Sequence, residues 1–445
     1  MRRNLVIVVA AVVALLAIVA AAAPLAARAQ EAQPPPAPAE AAAAPAAPPA
    51  QAEPASKDEV RALAEEVRRL KLQMGLGEVE YASYAGLGPA ASKVYFAPKG
   101  LSLGGYAEIF YRNEREDFGG ADPADDSDLY RVVLYLGYRF TPKIVFNAEI
   151  EFEHQNEIHV EFAYLDFHLS KAMGVRAGNV LVPIGFVNEL HEPPFFHGVF
   201  RPEIEQRLIP TTWNENGVGL HGELGPVGYK AYLLVGLNAT NGRVAADTWL
   251  RGARTAGGRS PAEDFAGVLN LRTELGPVSL GGTLYAGRAG QGKEVAGEEV
   301  EASVFLGEAH ARLLWRGLEA RAIYAVGTLG DADLVSEAAA IGDPTRVIGS
   351  RVQGGYAEVA YDVLGRLWAD GGQALSPFVR YERYDLHDEV PGGGVRNPAY
   401  DVDAWTVGIG YKPIPTVALK ADWSRREAAS GAVGETVNLG VGLVF

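Results

Sequence analysis

From Leu101 to Phe445 apolar residues recur at every second position, in runs of about ten to thirteen residues. A period of two belongs to strands with two chemically different faces, and no helix satisfies it. Such runs lie near 103–112, 129–140, 143–153, 158–169, 174–182, 215–224, 227–238 and 264–275. More follow near 278–288, 300–315, 317–328, 350–362, 375–385, 401–412, 415–426 and 434–445, which makes about sixteen strands. In 143–153, Ile144, Phe146, Ala148, Ile150 and Phe152 form one face, and Asn147, Glu149, Glu151 and Glu153 the other. In 415–426, Val417, Leu419, Ala421 and Trp423 oppose Lys420, Asp422, Ser424 and Arg426.

These faces suit a soluble sandwich or a membrane barrel, and the connections separate the two. Short turns at Thr141-Pro142, Gly225-Pro226, Gly276-Pro277 and Arg316-Gly317 alternate with long polar segments such as 113–128, 239–263 and 329–349. Short turns on one rim and long loops on the other are how outer-membrane barrels are built. Tyr130, Tyr138, Tyr411 and Phe445 are placed to form aromatic girdles at the membrane interfaces. After the N-terminal apolar run no second helix-length apolar segment appears, which excludes a helical membrane protein. Cysteine is absent, so there is neither a disulfide framework nor a thiol nucleophile. The net charge of −15 argues against nucleic acid as a partner.

The chain begins with a basic start, a long apolar run and Ala27-Arg28-Ala29, so residues 1–29 are expected to be a signal peptide. Residues 30–56, almost all Ala, Pro, Gln and Glu, are expected to form an extended linker. A short periplasmic coiled-coil helix is expected over 57–76. Its apolar residues Val60, Leu63, Val67, Leu70 and Met74 recur at alternating intervals of three and four. The barrel then occupies 101–445. The chain ends on Phe445 in mid-strand, with an even strand number that returns both ends to the periplasmic rim.

The third long connection, 183–214, has no strand pattern but many aromatic and aliphatic residues, so it is expected to pack against something. Folded inward, it would place Glu189, His191, Glu192, His197, Arg201, Glu203, Glu205 and Arg207 at a constriction, stiffened by Pro193-Pro194 and Pro210. Strand parity puts Arg131, Glu149, Glu151, Arg176, Arg272, Arg312, Arg321, Arg380 and Lys420 on the lumen face. Acids gather on 143–161 and basic residues spread over the other walls. His191, Glu192 and His197 carry groups that suit zinc, but their spacing beside a proline pair forms no ligand pattern, so neither metal nor cofactor is expected. Ser424 and His310 are isolated residues without a nucleophile motif, and no enzyme is expected.

The run Val175-Arg176-Ala177-Gly178-Asn179-Val180-Leu181-Val182-Pro183-Ile184-Gly185-Phe186 and the terminal Phe445 resemble the phosphate-selective porin O and P family in its broad sense. That resemblance implies an all-β fold, a transmembrane antiparallel β-barrel of about 16 strands, in the cell outer membrane. It also implies a homotrimer in contact with the lipid bilayer and lipopolysaccharide, passing small hydrophilic solutes or ions by passive diffusion. The family's phosphate selectivity uses lysines at the constriction. This loop has none, so phosphate does not carry over. Two alternatives stand beside a general porin: a channel selective for an oxyanion or a sugar, and a structural tether to peptidoglycan through the N-terminal helix.

Overall fold

A computed structural model describes residues 83–116, 118, 125–367 and 372–445, in which sixteen antiparallel strands close into one barrel. The expected signal peptide, linker and helix over 57–76 lie outside the described residues. The strands are β1 (Gly100–Glu116), β2 (Asp125–Thr141), β3 (Ile144–Glu153), β4 (Glu157–His168), β5 (Gly174–Leu181), β6 (Asn214–Leu224), β7 (Val227–Val235) and β8 (Phe265–Leu275). They continue as β9 (Val278–Gly287), β10 (Val304–Trp315), β11 (Leu318–Leu329), β12 (Arg351–Tyr361), β13 (Ala374–Glu389), β14 (Asp401–Ile414), β15 (Val417–Ala428) and β16 (Val433–Val444). Each pairs with the next, and β16 pairs with β1 from Tyr106↔Val444 to Arg112↔Asn438. Phe445 seals the seam: its N–H donates to the Gly105 carbonyl at 2.9 Å, and the Gly105 N–H returns to the Phe445 carbonyl at 3.0 Å. Closure leaves no unpaired edge in the barrel; a separate two-stranded hairpin, Glu294–Val295 with Glu298–Glu299, lies in one of the long loops.

The two faces invert the arrangement of a soluble protein. Leu103, Ile109, Leu136, Val160, Leu220, Val407, Leu419 and Val441 point outward and are exposed, while charged residues are buried inside. An apolar outer band suits hydrocarbon, and a closed barrel satisfies its backbone there without water. Tyr130 departs from the girdle position expected of it. Its ring meets the inward Phe110 edge-on, with centroids 5.7 Å apart, and lies 4.1 Å from the Arg131 guanidinium. The cause is a bulge in the β1–β2 pairing between Glu108 and Phe110, which breaks the strand's alternation. A second bulge opposite Glu149 and Ile150 lets Glu161 and Phe162, adjacent in sequence, both be buried.

Inside the barrel, against β1, β2 and β3, sits α1 (Pro89–Phe96), in a stretch to which the sequence pattern assigns no element. Proline in the first turn presets the helical φ, and two alanines follow. Arg139 holds the carboxyl end by donating from Nη1 to the carbonyls of Tyr95 at 3.0 Å and Ala97 at 2.8 Å. Asn147 donates to the Ala91 carbonyl at 2.9 Å. The helix packs so tightly on β2 that a Cβ at Gly137 would lie 2.5 Å from the Val94 side chain. Leu87, Val94 and Tyr95 are buried there, each contributing about 1.5–3 kcal/mol.

Candidate functional site

The connection between β5 and β6 folds into the lumen, and a single side chain ties its two ends together. Asn188 donates to the carbonyls of Val182 at 2.6 Å and Trp213 at 2.9 Å, and its Oδ1 accepts from the Trp213 N–H at 2.8 Å. Thr283 on β9 donates to the Pro183 carbonyl at 2.7 Å. Gly185 has φ +66°, and any Cβ there would sit 2.6 Å from the Glu205 carboxylate. The run Val175 to Phe186 is therefore the last strand before the loop plus the turn that aims the chain inward. Further on, the loop carries a 3-10 turn, Pro193–Phe195, and the single turn α2 (Ile204–Arg207).

Six of the eight constriction candidates contact the barrel wall or the internal helix; Arg201 and Arg207 are held within the loops. Glu189 pairs with Lys230 on β7. His191 Nε2 lies 3.0 Å from Glu149 and 3.6 Å from Glu161. Glu192 accepts from the Ala91 N–H at 3.0 Å, joining the loop to α1. His197 pairs with Glu319 at 3.1 Å and stacks on Phe378. Arg201 is buried without a carboxylate partner among the described residues. Glu203 pairs with Arg207 and lies 3.7 Å from Arg426. Glu205 accepts from the Val187 N–H at 2.7 Å and the Tyr356 hydroxyl at 2.8 Å. Arg207 also donates to the Asp247 carbonyl at 3.2 Å.

Charge on the loop follows from these partners. Burial disfavours the His191 imidazolium, but Glu149 and Glu161 outweigh it and hold the ring up at about 9. Burial raises Glu192 to about 7, against the pull of the Ala91 and Ala90 N–H groups. It raises Glu205 to about 7 as well, despite the two donors aimed at it. Glu203 goes the other way: burial is overcome by Arg207 and Arg426, and the carboxyl falls to about 2.

Of the lumen candidates, Arg131 is a hub, 2.9 Å from Glu108, 3.2 Å from Glu151 and 3.0 Å from Glu153. Arg176 pairs with Asp166 at 2.8 Å, and Asp166 also meets His221 at 2.7 Å. Arg321 pairs with Glu319 at 2.6 Å and donates to the Phe195 carbonyl at 2.9 Å. Arg380 bridges Glu358 at 3.2 Å and Glu382 at 2.8 Å. Lys420 donates to the Gly198 carbonyl at 2.9 Å and lies 3.7 Å from the centre of the Phe196 ring. Arg312 pairs with Glu319 at 2.8 Å yet keeps 31% of its side chain exposed. Arg312↔Arg321, Arg321↔Glu358 and Glu358↔Arg380 are cross-strand neighbours, so three arginines and one glutamate form one row on the wall. His310 pairs with Glu308 on β10 and Ser424 contacts Thr406 at 3.3 Å on another wall, so they form no catalytic pair.

Arg272, Lys412 and Lys93 are half-buried and have no carboxylate partner among the described residues. Lys93 belongs to α1 and has no strand periodicity to announce it. Lys412 falls on a strand run whose parity places it inside, so it was open to the same reasoning as its neighbours. Asp166 was not: it has the parity of the exposed Ile158 and Val160, and only the bulge at Glu161 turns it inward.

No family model matches the chain. Two solved structures share the fold at 12% identity, each overlapping 78% of this chain and 97% of its own. They are OmpF of Salmonella typhi in complex with daunomycin, TM-score 0.52, and the outer-membrane channel DcaP of Acinetobacter baumannii, TM-score 0.50. An uncharacterized protein of Aquifex aeolicus (strain VF5) is 38% identical over 374 residues, 81% of this chain and 83% of that protein. The chain belongs to the family of that Aquifex aeolicus protein, and its fold is the sixteen-stranded barrel of outer-membrane porins and channels.

Proposed function

We propose that this protein is an outer-membrane porin through which small hydrophilic solutes and ions diffuse passively, with a preference for small anions. The observation that carries the channel reading is a closed barrel with exposed aliphatics outside and a charged wall inside. A barrel of this strand number is wide enough for an aqueous path, which the inward loop and α1 narrow. In this reading Glu189, His197, Glu203 and Arg207, all partly exposed, meet the solute. His191, Glu192, Arg201 and Glu205, all buried, hold the constriction in place.

The anion preference is supported by which charges remain unspent. Glu149, Glu151 and Glu161 are buried beside Arg131 and His191, so their field is largely neutralised locally. Among the described residues Arg272, Lys412 and Lys93 have no acid partner, and Arg312 is the most exposed member of its row. Selectivity follows lumen charge and not the chain's negative total. Association into a homotrimer belongs to the same proposal.

Single-channel recording in a planar bilayer under a salt gradient tests it. The expected result is stepwise current in groups of three with an anion-selective reversal potential, shifted toward cations by Arg312→Glu. Silence from correctly folded, heat-modifiable barrels would overturn the channel reading and favour the cell-wall tether. A cation-selective potential would overturn the preference alone.

A further inference from the structure

Three side chains from three separate elements meet where the loop touches the acidic wall. His191 comes from the loop, Glu149 from β3, and Glu161 from the bulge of β4. They are 2%, 0% and 3% exposed. His191 Nδ1 lies 3.0 Å from the Asn188 carbonyl, which can only accept, so Nδ1 carries hydrogen and Nε2 is turned toward the two carboxylates. A ring nitrogen fixed this way by a backbone carbonyl is the usual outer-shell arrangement of a metal-binding histidine.

The carboxylates supply an independent observation. Among the described residues Glu149 Oε2 and Glu161 Oε2 are both buried without a hydrogen-bond partner, and so is Oε1 of the neighbouring Glu151. Buried carboxylate oxygens are normally hydrogen-bonded, paired with a cation or bound to a metal. Among the described residues the nearby Arg131 pairs with Glu108, Glu151 and Glu153 and with neither Glu149 nor Glu161. Arg201 is close enough to act electrostatically on His191 and Glu151, and its Nη2 is without a hydrogen-bond partner among the described residues.

We propose that Glu149, Glu161 and His191 bind a divalent transition cation of the zinc class, which fastens the constriction loop to the barrel wall. One imidazole and two carboxylates are a ligand set that zinc accepts, with a fourth position left for water. The three ligand atoms lie within 4.8 Å of one another. Tetrahedral zinc, with bonds of about 2.0–2.1 Å, sets ligand–ligand separations of about 3.3 Å. The imidazole-to-carboxylate separations of 3.0 and 3.6 Å bracket that value. The ion would replace the imidazolium proton and join residues 42 and 30 positions apart in the chain, so loop release and ion release become one event. Binding does not rest on the channel reading, and its effect on current does.

The test uses the full-length protein folded into detergent, stripped with chelator, then dialysed against zinc alone or cobalt(II) alone. One tightly held zinc per chain is expected, and cobalt should give the intense visible bands of a tetrahedral site. His191→Ala and the double variant Glu149→Gln/Glu161→Gln should each weaken zinc binding about 100-fold or more, while His159→Ala should leave it unchanged. His159 belongs to a separate group with Glu153 and Glu157, in which both His159 and Glu157 are exposed. Loss of binding with His159→Ala instead would overturn the proposal. So would wild-type protein that holds no zinc and shows no cobalt bands, which would leave the triad as an imidazolium between two carboxylates. The wild-type cobalt spectrum decides the matter even if the variants do not fold. Zinc bound by a silent barrel would keep the site and remove the channel.

Discussion

Arg139 holds the carboxyl end of the internal helix by two hydrogen bonds from one nitrogen, and Arg139→Ala tests how α1 is held. Two hydrogen bonds at 3.0 and 2.8 Å join one guanidinium nitrogen to the Tyr95 and Ala97 carbonyls. Hydrogen bonds to a charged donor each contribute about 1.5–3 kcal/mol net, and a cation at a helix carboxyl end adds about 0.3–1. Ala97 is partly exposed, so water replaces some of its loss, and about 3 kcal/mol is a fair total. At 1.4 kcal/mol per factor of ten, undocking of α1 becomes roughly 100-fold more frequent. The chain has no cysteine, so Val94→Cys introduces a unique reporter that is buried while the helix is docked. Its labelling by a water-soluble thiol reagent, in folded protein, should speed up about 100-fold when Arg139→Ala is added. A change below about threefold, with the barrel still heat-modifiable, would show that these bonds do not hold the helix.

Three further outcomes follow from the same geometry. Glu205 is raised by burial to about 7, with Glu308 adding to the rise and His310, the Val187 N–H and the Tyr356 hydroxyl opposing it. A folded value above the unfolded one gives stability that is full below about 4.5 and lost as pH rises through about 7. Hydrogen exchange in 183–214 should accordingly be faster at pH 8 than at pH 5, and Glu205→Gln should remove the part of the difference at Val187 and its neighbours, leaving the part that Glu192 contributes. Arg131→Ala leaves Glu108, Glu151 and Glu153 facing one another without their guanidinium, costing about 3–5 kcal/mol; the thermal unfolding midpoint should fall clearly, and an unchanged midpoint would refute the hub. Gly105→Ala would place a Cβ 2.3 Å from the Val133 carbonyl and 2.6 Å from the Phe445 ring, so the yield of heat-modifiable barrel should drop, as densitometry of unheated samples would show.

Strand number and facing were legible because lipid outside and polar groups inside force a strict period of two. The run expected at 300–315 begins later, at Val304, because Val300 and Ala302 pack in a loop despite their alternating look. Tyr130 was illegible for a local reason: a bulge shifts parity, and one sequence cannot announce where an unpaired residue sits. The inward loop was foreseeable from its aromatics, yet its contacts were not. His191 finds its partners 42 and 30 residues away, on β3 and at the second bulge, whereas sequence spacing offered only neighbours such as Glu192 and His197. Helix α1 gave no signal, since eight residues of Pro, Ala, Ser, Lys, Val and aromatics have no amphipathic stripe until a barrel surrounds them.

The loop touches both sides of the barrel's closing seam. Phe200 packs on Phe110 in β1, Pro193 sits against Gly442 in β16, and the Val199 N–H donates to Asp422 in β15 at 2.6 Å. It therefore works as an internal brace across the joint between the first and last strands. Because the loop grips strands on both sides of the joint, closing the barrel and seating the loop support each other: opening the seam strips the loop of these contacts, and releasing the loop leaves the seam held by its strand pairing alone. In a time-resolved folding experiment, protection at Tyr106↔Val444 should rise together with protection at Asn188 and Trp213.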